Sequence, residues 1–139
     1  MKILILCTGN TCRSQMAEGF LQSLDKNLQV FSAGVAPGNG VNPYAVTVMR
    51  EKGIDISGRK SNDVYDFIHD SFDYVITVCD HAKETCPVFA GKVKEKLHFG
   101  FEDPAEFKGN HEATLNKYRE IRDLIFDRFE KWYLSLKKT

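Results

Sequence analysis

Cys7 and Arg13 bracket the segment Cys7-Thr8-Gly9-Asn10-Thr11-Cys12-Arg13-Ser14. A thiol and a guanidinium at the two ends of so short a loop suit attack on a tetrahedral oxyanion. Cysteine reacts as its thiolate, and a helix N-terminus favours that form, because several backbone N–H groups there lack an intrahelical partner and the helix dipole is positive. Arg13 stays charged at any working pH and presents a planar fork to two oxygens of such a ligand. Gly9 lets the backbone turn without a side chain in the way. Cys7 would then lie beneath the bound anion as nucleophile, with Thr8, Gly9, Asn10, Thr11, Cys12, Arg13 and Ser14 as the oxyanion-binding residues. Ser14 has two readings, a hydrogen-bond donor to the thiolate or a helix cap.

The bare spacing of Cys and Arg carries little; its surroundings give it weight. Ile3, Leu4, Ile5 and Leu6 form an apolar run suited to a buried strand, and Met16, Phe20, Leu21 and Leu24 share one helical face. The loop therefore joins a strand's carboxyl end to a helix's amino end. Further along, Gln29 to Ser32 reads as a second strand and Ala33 to Gly40 as a turn-rich connection. Asn42-Pro43 opens a helix faced by Val46 and Met49, since Asn caps well and Pro suits the first helical position. Gly53 stops that helix, Ile54 and Ile56 flank a short extended piece, and Asn62 or Asp63 caps a helical turn through Val64, Phe67 and Ile68. Tyr74 to Val78 is a third strand and Val93 to Phe99 a lysine-rich fourth, as an edge tolerates. From about Glu112, Leu115, Tyr118, Ile121, Ile125, Phe129, Trp132 and Leu136 recur at helical spacing and predict a long closing helix.

Strands alternating with helices imply right-handed crossovers. The expected fold is α/β: one domain over residues 1–139, a three-layer sandwich with a four-stranded parallel sheet of order 2-1-3-4 and helices on both faces. The switch point of such a sheet lies beside strand 1, where Cys7 emerges, and ligands bind there outside the carboxyl ends of the strands.

Other reactive groups reach the same edge. Cys79 follows strand 3, where it reads equally as a small apolar residue at a strand end. Cys86-Pro87 comes next, after a polar stretch that forms a loop or a loose helical turn. A zinc site from Cys79, His81, Cys86 and His98 would match no usual ligand spacing. Past strand 4, Asp103 stands on a Pro-stiffened loop as a candidate general acid, with a plain turn aspartate as the bland reading and Glu102 as competitor. Cys12 lies inside the anion loop with no redox role assigned. No histidine forms a nucleophile-base pair by spacing.

Lys+Arg and Asp+Glu both number 19, giving zero formal net charge. That balance argues against a nucleic-acid binder. No apolar stretch is long enough for a membrane span, the start leads straight into a strand, and a cytoplasmic location is expected. Four cysteines are too few for a disulfide scaffold and fit a reducing compartment. A monomer is the default expectation.

Taken together, Cys7 to Ser14 with Gln15-Met16-Ala17-Glu18-Gly19, Cys79, Cys86-Pro87 and Gly100-Phe101-Glu102-Asp103-Pro104-Ala105 resemble the thioredoxin-coupled arsenate reductases, which share the low-molecular-weight tyrosine phosphatase fold. Ser32-Ala33-Gly34 and Gly53-Ile54-Asp55-Ile56-Ser57 fall where that family has similar segments. Phosphatases of this fold usually carry Pro where Gln15 stands, often have tyrosines where this chain has Ala105-Glu106-Phe107, and lack the later cysteine pair. The resemblance implies that Cys7 attacks arsenic while the loop and Arg13 hold the oxygens and Asp103 protonates the departing oxygen. It further implies that Cys79 and then Cys86 pass the disulfide outward to thioredoxin, with arsenate and thioredoxin as partners. Asn10, Glu18 and Ser32 match positions at which some members bind potassium, the remaining aspartate falling at Asn62 or Asp63; no other cofactor is implied. The rival reading is a phosphatase acting on phosphotyrosine or small phosphoesters through a Cys7 phosphocysteine. A non-enzymatic oxyanion or redox module is a third.

Overall fold

Ile3, Leu4, Ile5 and Leu6 are fully buried in strand β1 (Lys2–Cys7). Successive residues of a strand point to opposite faces, so a run buried without alternation requires cover on both. That cover comes from helices. The computed structural model describes residues 1–137; in chain order β1 is followed by α1 (Arg13–Leu24), β2 (Gln29–Gly34), α2 (Pro43–Arg50), β3 (Phe72–Thr77), α3 (Asp80–Thr85), β4 (Val93–His98) and α4 (His111–Leu136). The strands are all parallel in the order β2-β1-β3-β4, as expected. The right-handed crossover rule sends α1 and α3 to opposite faces. α4 packs along α1 and α2 through buried Tyr118, Ile121, Ile125, Phe129 and Trp132. Each large apolar side chain withdrawn from water in this way is worth about 2 kcal/mol.

Register brings the strand ends into line. Cys7 pairs with Gly34, Leu6 with Thr77, and Thr77 with His98, so the residues that follow each strand converge on one edge. Asn42 caps α2 by accepting from the Tyr44 N–H, with Pro43 at the first position, as its sequence anticipates.

Three elements differ from expectation. β2 runs on through Ala33 and Gly34, because those residues pair with Leu6 and Cys7. A Cβ at Gly34 would lie 2.5 Å from the Thr8 carbonyl oxygen and 3.0 Å from the Asn10 nitrogen, so only glycine lets β2 approach the anion loop this closely. Ile54 and Ile56 join no strand; they pack on Gly19 of α1, where a Cβ would meet Ile56 at 2.9 Å. The turn capped by Asp63 covers only Val64–Asp66. The fourth strand is the exposed edge expected, with Lys94, Glu95 and Lys96 turned to solvent. The segment after Cys79 is an ordered helix, α3.

Candidate active site

The loop between β1 and α1 is held from outside by its carbonyls. Cys7, Thr8, Gly9 and Thr11 carbonyl oxygens accept from the N–H groups of Val35, Ala36, Gly38 and Asn42, at 2.8–3.1 Å. The Asn10 carbonyl accepts from Gln15 Nε2 at 3.2 Å and Ser61 Oγ at 3.1 Å. A trans peptide points its N–H opposite to its C=O. With five successive carbonyls among residues 7–11 committed away from the site, the N–H groups of residues 8–12 turn toward its interior. Inward-facing backbone N–H groups in such a row are suited to cradling an anion.

Cys7 sits at its floor, 2% exposed. Its Sγ accepts from the Asn10 N–H at 3.2 Å and lies 2.8 Å from Ser14 Oγ. Asn10 has φ +54°, the left-handed region that asparagine tolerates better than most residues; that conformation aims its N–H back at the sulfur. Ser14 is inside α1, whose cap position is Cys12 with no side-chain bond. Of its two readings, the hydroxyl beside the sulfur is the one the geometry bears out. Burial pushes the Cys12 thiol well up from its ordinary value, which keeps it a protonated packing residue.

Arg13 is buried to 8% exposure. It donates through Nη1 to the Phe101 carbonyl at 2.9 Å, and Nη2 lies 3.6 Å from Asp103 Oδ2. Asp103 is steadied by the Ala105 N–H at 3.0 Å on Oδ1. Glu102, its competitor for the acid role, is drawn instead to Lys117 of α4 at 2.7 Å. Arg13, Asp103, Thr8 and Cys79 line one cleft of about 860 Å³.

Cys79 caps α3, accepting from the Ala82 N–H at 3.4 Å, and its Sγ lies 3.3 Å from Thr8 Oγ1. The second thiol therefore stands against the residue adjacent to Cys7. Cys86 is at the other end of α3, half-buried beside Lys83, Lys96 and His98. Burial pushes its thiol up, and Lys96 partly offsets that. Two groups escaped sequence reasoning. Thr8 links the loop to Cys79, and Ser61 and Asn62 clamp Asn10 together with nearby Gln15; Cys79, Ser61 and Asn62 lie dozens of residues from the loop, and no spacing announces them.

Asn10, Glu18 and Ser32 do come together, but their polar atoms are already committed within the chain. Asn10 Oδ1 accepts from the Asn62 N–H at 2.8 Å, the Ser32 carbonyl from Asn62 Nδ2 at 3.0 Å, and Ser32 Oγ from Asn10 Nδ2 at 2.9 Å. Glu18 is ion-paired with Arg59. The residue at 62 is an amide where the fourth ligand, an aspartate carboxylate, would be needed, and Asp63 caps the Tyr65 N–H. This arrangement does not fit a potassium ion.

A family model described as low molecular weight phosphotyrosine protein phosphatase matches residues 2–139. A protein named arsenate reductase from Oceanobacillus iheyensis is 43% identical over 129 residues, covering 92% of this chain and 91% of the relative. Among solved structures, an arsenate reductase in the phosphate binding state superposes with TM-score 0.81 at 32% identity, over 96% of this chain and 97% of that one. A cysteine-to-serine mutant of the YwlE arginine phosphatase, with the active-site serine phosphorylated, gives TM-score 0.76 at 27% identity over 99% and 97% of the two chains.

Proposed function

The chain belongs to the low molecular weight phosphotyrosine protein phosphatase family, and on that footing we propose that it reduces arsenate to arsenite with Cys7, Cys79 and Cys86 as successive thiols. The observation that carries this reading is Cys79 at the mouth of the anion loop, touching Thr8. Hydrolysis through a phosphocysteine has no use for a second thiol there; reduction does. Relatives named arsenate reductase support the same substrate.

In the proposed sequence the Cys7 thiolate attacks arsenic(V), and a hydroxyl leaves as water with a proton from Asp103. The cradle N–H groups and Arg13 hold the remaining oxygens and the charge that builds on them. Cys79, as thiolate, then attacks Cys7 Sγ. The sulfur–arsenic bond breaks, its electron pair stays on arsenic, arsenite departs carrying both electrons, and the two thiols that supplied them are left as a Cys7–Cys79 disulfide. Cys86 attacks Cys79 Sγ and releases Cys7 as thiolate. The resulting Cys79–Cys86 disulfide is reduced by a dithiol protein of the thioredoxin type.

The last transfer demands motion. Six residues of helix separate Cys79 from Cys86, and at about 1.5 Å per residue their Cα atoms stand roughly 10 Å apart. A disulfide tolerates no more than about 7 Å. α3 must therefore unwind in this reaction. Its polar, exposed residues leave it little apolar packing to lose.

The test compares arsenate consumption fed by thioredoxin with aryl-phosphate hydrolysis in wild type and Cys79→Ser. We expect arsenate turnover to vanish in the variant, while slow hydrolysis, dependent on Cys7 and Arg13, survives. Sustained arsenate turnover in Cys79→Ser would refute the relay. Phosphate-ester turnover far exceeding arsenate turnover in the wild type would favour the phosphatase.

A further inference from the structure

We infer that Arg59 is a positioning residue for Cys7, its guanidinium serving as a built-in cation on Glu18 and locking a hydrogen-bond chain that ends on the reacting sulfur. The inference rests on Cys7 being the reacting group, but not on which oxyanion it attacks.

The direction of the chain follows from one fixed donor. A backbone N–H can only donate, and the Asn62 N–H meets Asn10 Oδ1 at 2.8 Å. This settles the orientation of the Asn10 amide. Its Nδ2 must then donate, and does so twice, to Ser14 Oγ at 2.8 Å and to Ser32 Oγ at 2.9 Å. Each serine oxygen receives a hydrogen from Asn10, so each is free to turn its own proton outward. Ser14 turns it to Cys7 Sγ at 2.8 Å; Ser32, whose side chain and backbone both favour the charged form of Glu18, turns it toward that carboxylate. Both ends of the chain thus terminate on an acceptor that is best when negative.

Glu18 is the far terminus, and its side chain is only 12% exposed. Burial works against its charge. Arg59 answers with a guanidinium that forks onto Glu18 and, through Nη2, onto Gln22 Oε1 at 2.9 Å. Without that cation, Glu18 would gain by binding a proton and turning it toward Ser32. Ser32 Oγ would then accept from Glu18 as well and have to turn its own proton elsewhere, its bond from Asn10 Nδ2 would weaken, and Asn10 would be less firmly held at φ +54°. Ser14 and the Asn10 N–H reach the sulfur only while Asn10 holds that pose.

The potassium site implied by the family resemblance falls on these same residues, and here a side chain stands where the ion would be called for. The chain should therefore be indifferent to alkali cations. The experiment measures alkylation of Cys7 by iodoacetamide at one fixed pH, in the reduced full-length protein, without substrate, with Cys7 identified by peptide mass analysis. Wild type, Arg59→Ala and Arg59→Lys are compared in potassium chloride and in tetramethylammonium chloride, with circular dichroism confirming the fold. We expect wild type to react at one rate in both salts, Arg59→Ala to react about fivefold more slowly, the weight of one weakened hydrogen bond to the sulfur, and Arg59→Lys to recover most of that loss. Equal rates for wild type and folded Arg59→Ala would overturn the inference, as would a wild-type rate that rises with potassium. Because no oxyanion is present, neither result depends on the arsenate reading.

Discussion

Replacing Glu84 by glycine or alanine isolates the unwinding of α3, which the proposed relay requires. Glu84 is exposed within α3, and both substitutions remove the same carboxylate, so the pair differ only in backbone preference. Glycine costs a helix about 1 kcal/mol relative to alanine. If α3 must open before Cys86 reaches Cys79, that difference enters the opening equilibrium directly. With RT near 0.59 kcal/mol, it makes the open form about fivefold more populated in Glu84→Gly than in Glu84→Ala. The other anchors of α3, the Cys79 cap on Ala82 and the His98 contact to Asp80 at 3.0 Å, are common to both proteins. In the assay, reduced protein meets one equivalent of arsenate without thioredoxin, is quenched in acid at increasing times, and is digested to quantify the Cys7–Cys79 and Cys79–Cys86 disulfides. Conversion of the first into the second should run about fivefold faster in the glycine variant. Equal rates, or a slower glycine variant, would refute the requirement that the helix opens first.

Gly34→Ala should damage the site without touching a reactive group, since its Cβ meets backbone of Thr8, Gly9 and Asn10 that cannot step aside cheaply. A loss of about 2 kcal/mol in urea unfolding, with weakened phosphate protection of Cys7 from alkylation, is the expected outcome, and a variant matching wild type in both would contradict the packing argument. Acid stability should depend on Glu51, whose carboxyl is held below its ordinary value of 4.5 chiefly by the Arg119 side-chain hydrogen bond, with Arg122 adding to it. A carboxyl lowered in the fold stabilises above its unfolded value, and that contribution is lost as pH falls through the lower folded value. Urea midpoints below about pH 4.5 should therefore fall more steeply for wild type than for Glu51→Gln, and parallel curves would refute the assignment.

Much of the site was legible because its signals are local. The apolar run Ile3 to Leu6 and the helical face after Ser14 place the loop at a strand-to-helix junction. Asn42-Pro43 marks its helix by capping chemistry, and the spacing from Leu115 to Leu136 marks α4. The parallel sheet and its right-handed crossovers follow from the alternation of strands and helices. α3 was harder to read, since six residues are too few for a periodic face and its cap is a cysteine, a residue that does not advertise capping. Ile54 and Ile56 show a strand-like pattern, yet they answer the gap at Gly19 rather than a ladder. Arg59 on Glu18 and Lys117 on Glu102 are contacts of tertiary packing between residues far apart in the chain, and each alters the chemistry of its partner without leaving a trace in spacing.

The proposed two-thiol reduction is tested most directly by the product of one encounter. Reduced Cys86→Ser protein is exposed to excess arsenate with thioredoxin absent; the arsenite released and the cysteines joined are then measured together. The account predicts one arsenite per chain and a Cys7–Cys79 disulfide, because the step that frees Cys7 has lost its nucleophile. Arsenite formed with Cys7 and Cys79 both still reduced, or no arsenite at all from a folded protein that binds the oxyanion, would contradict it.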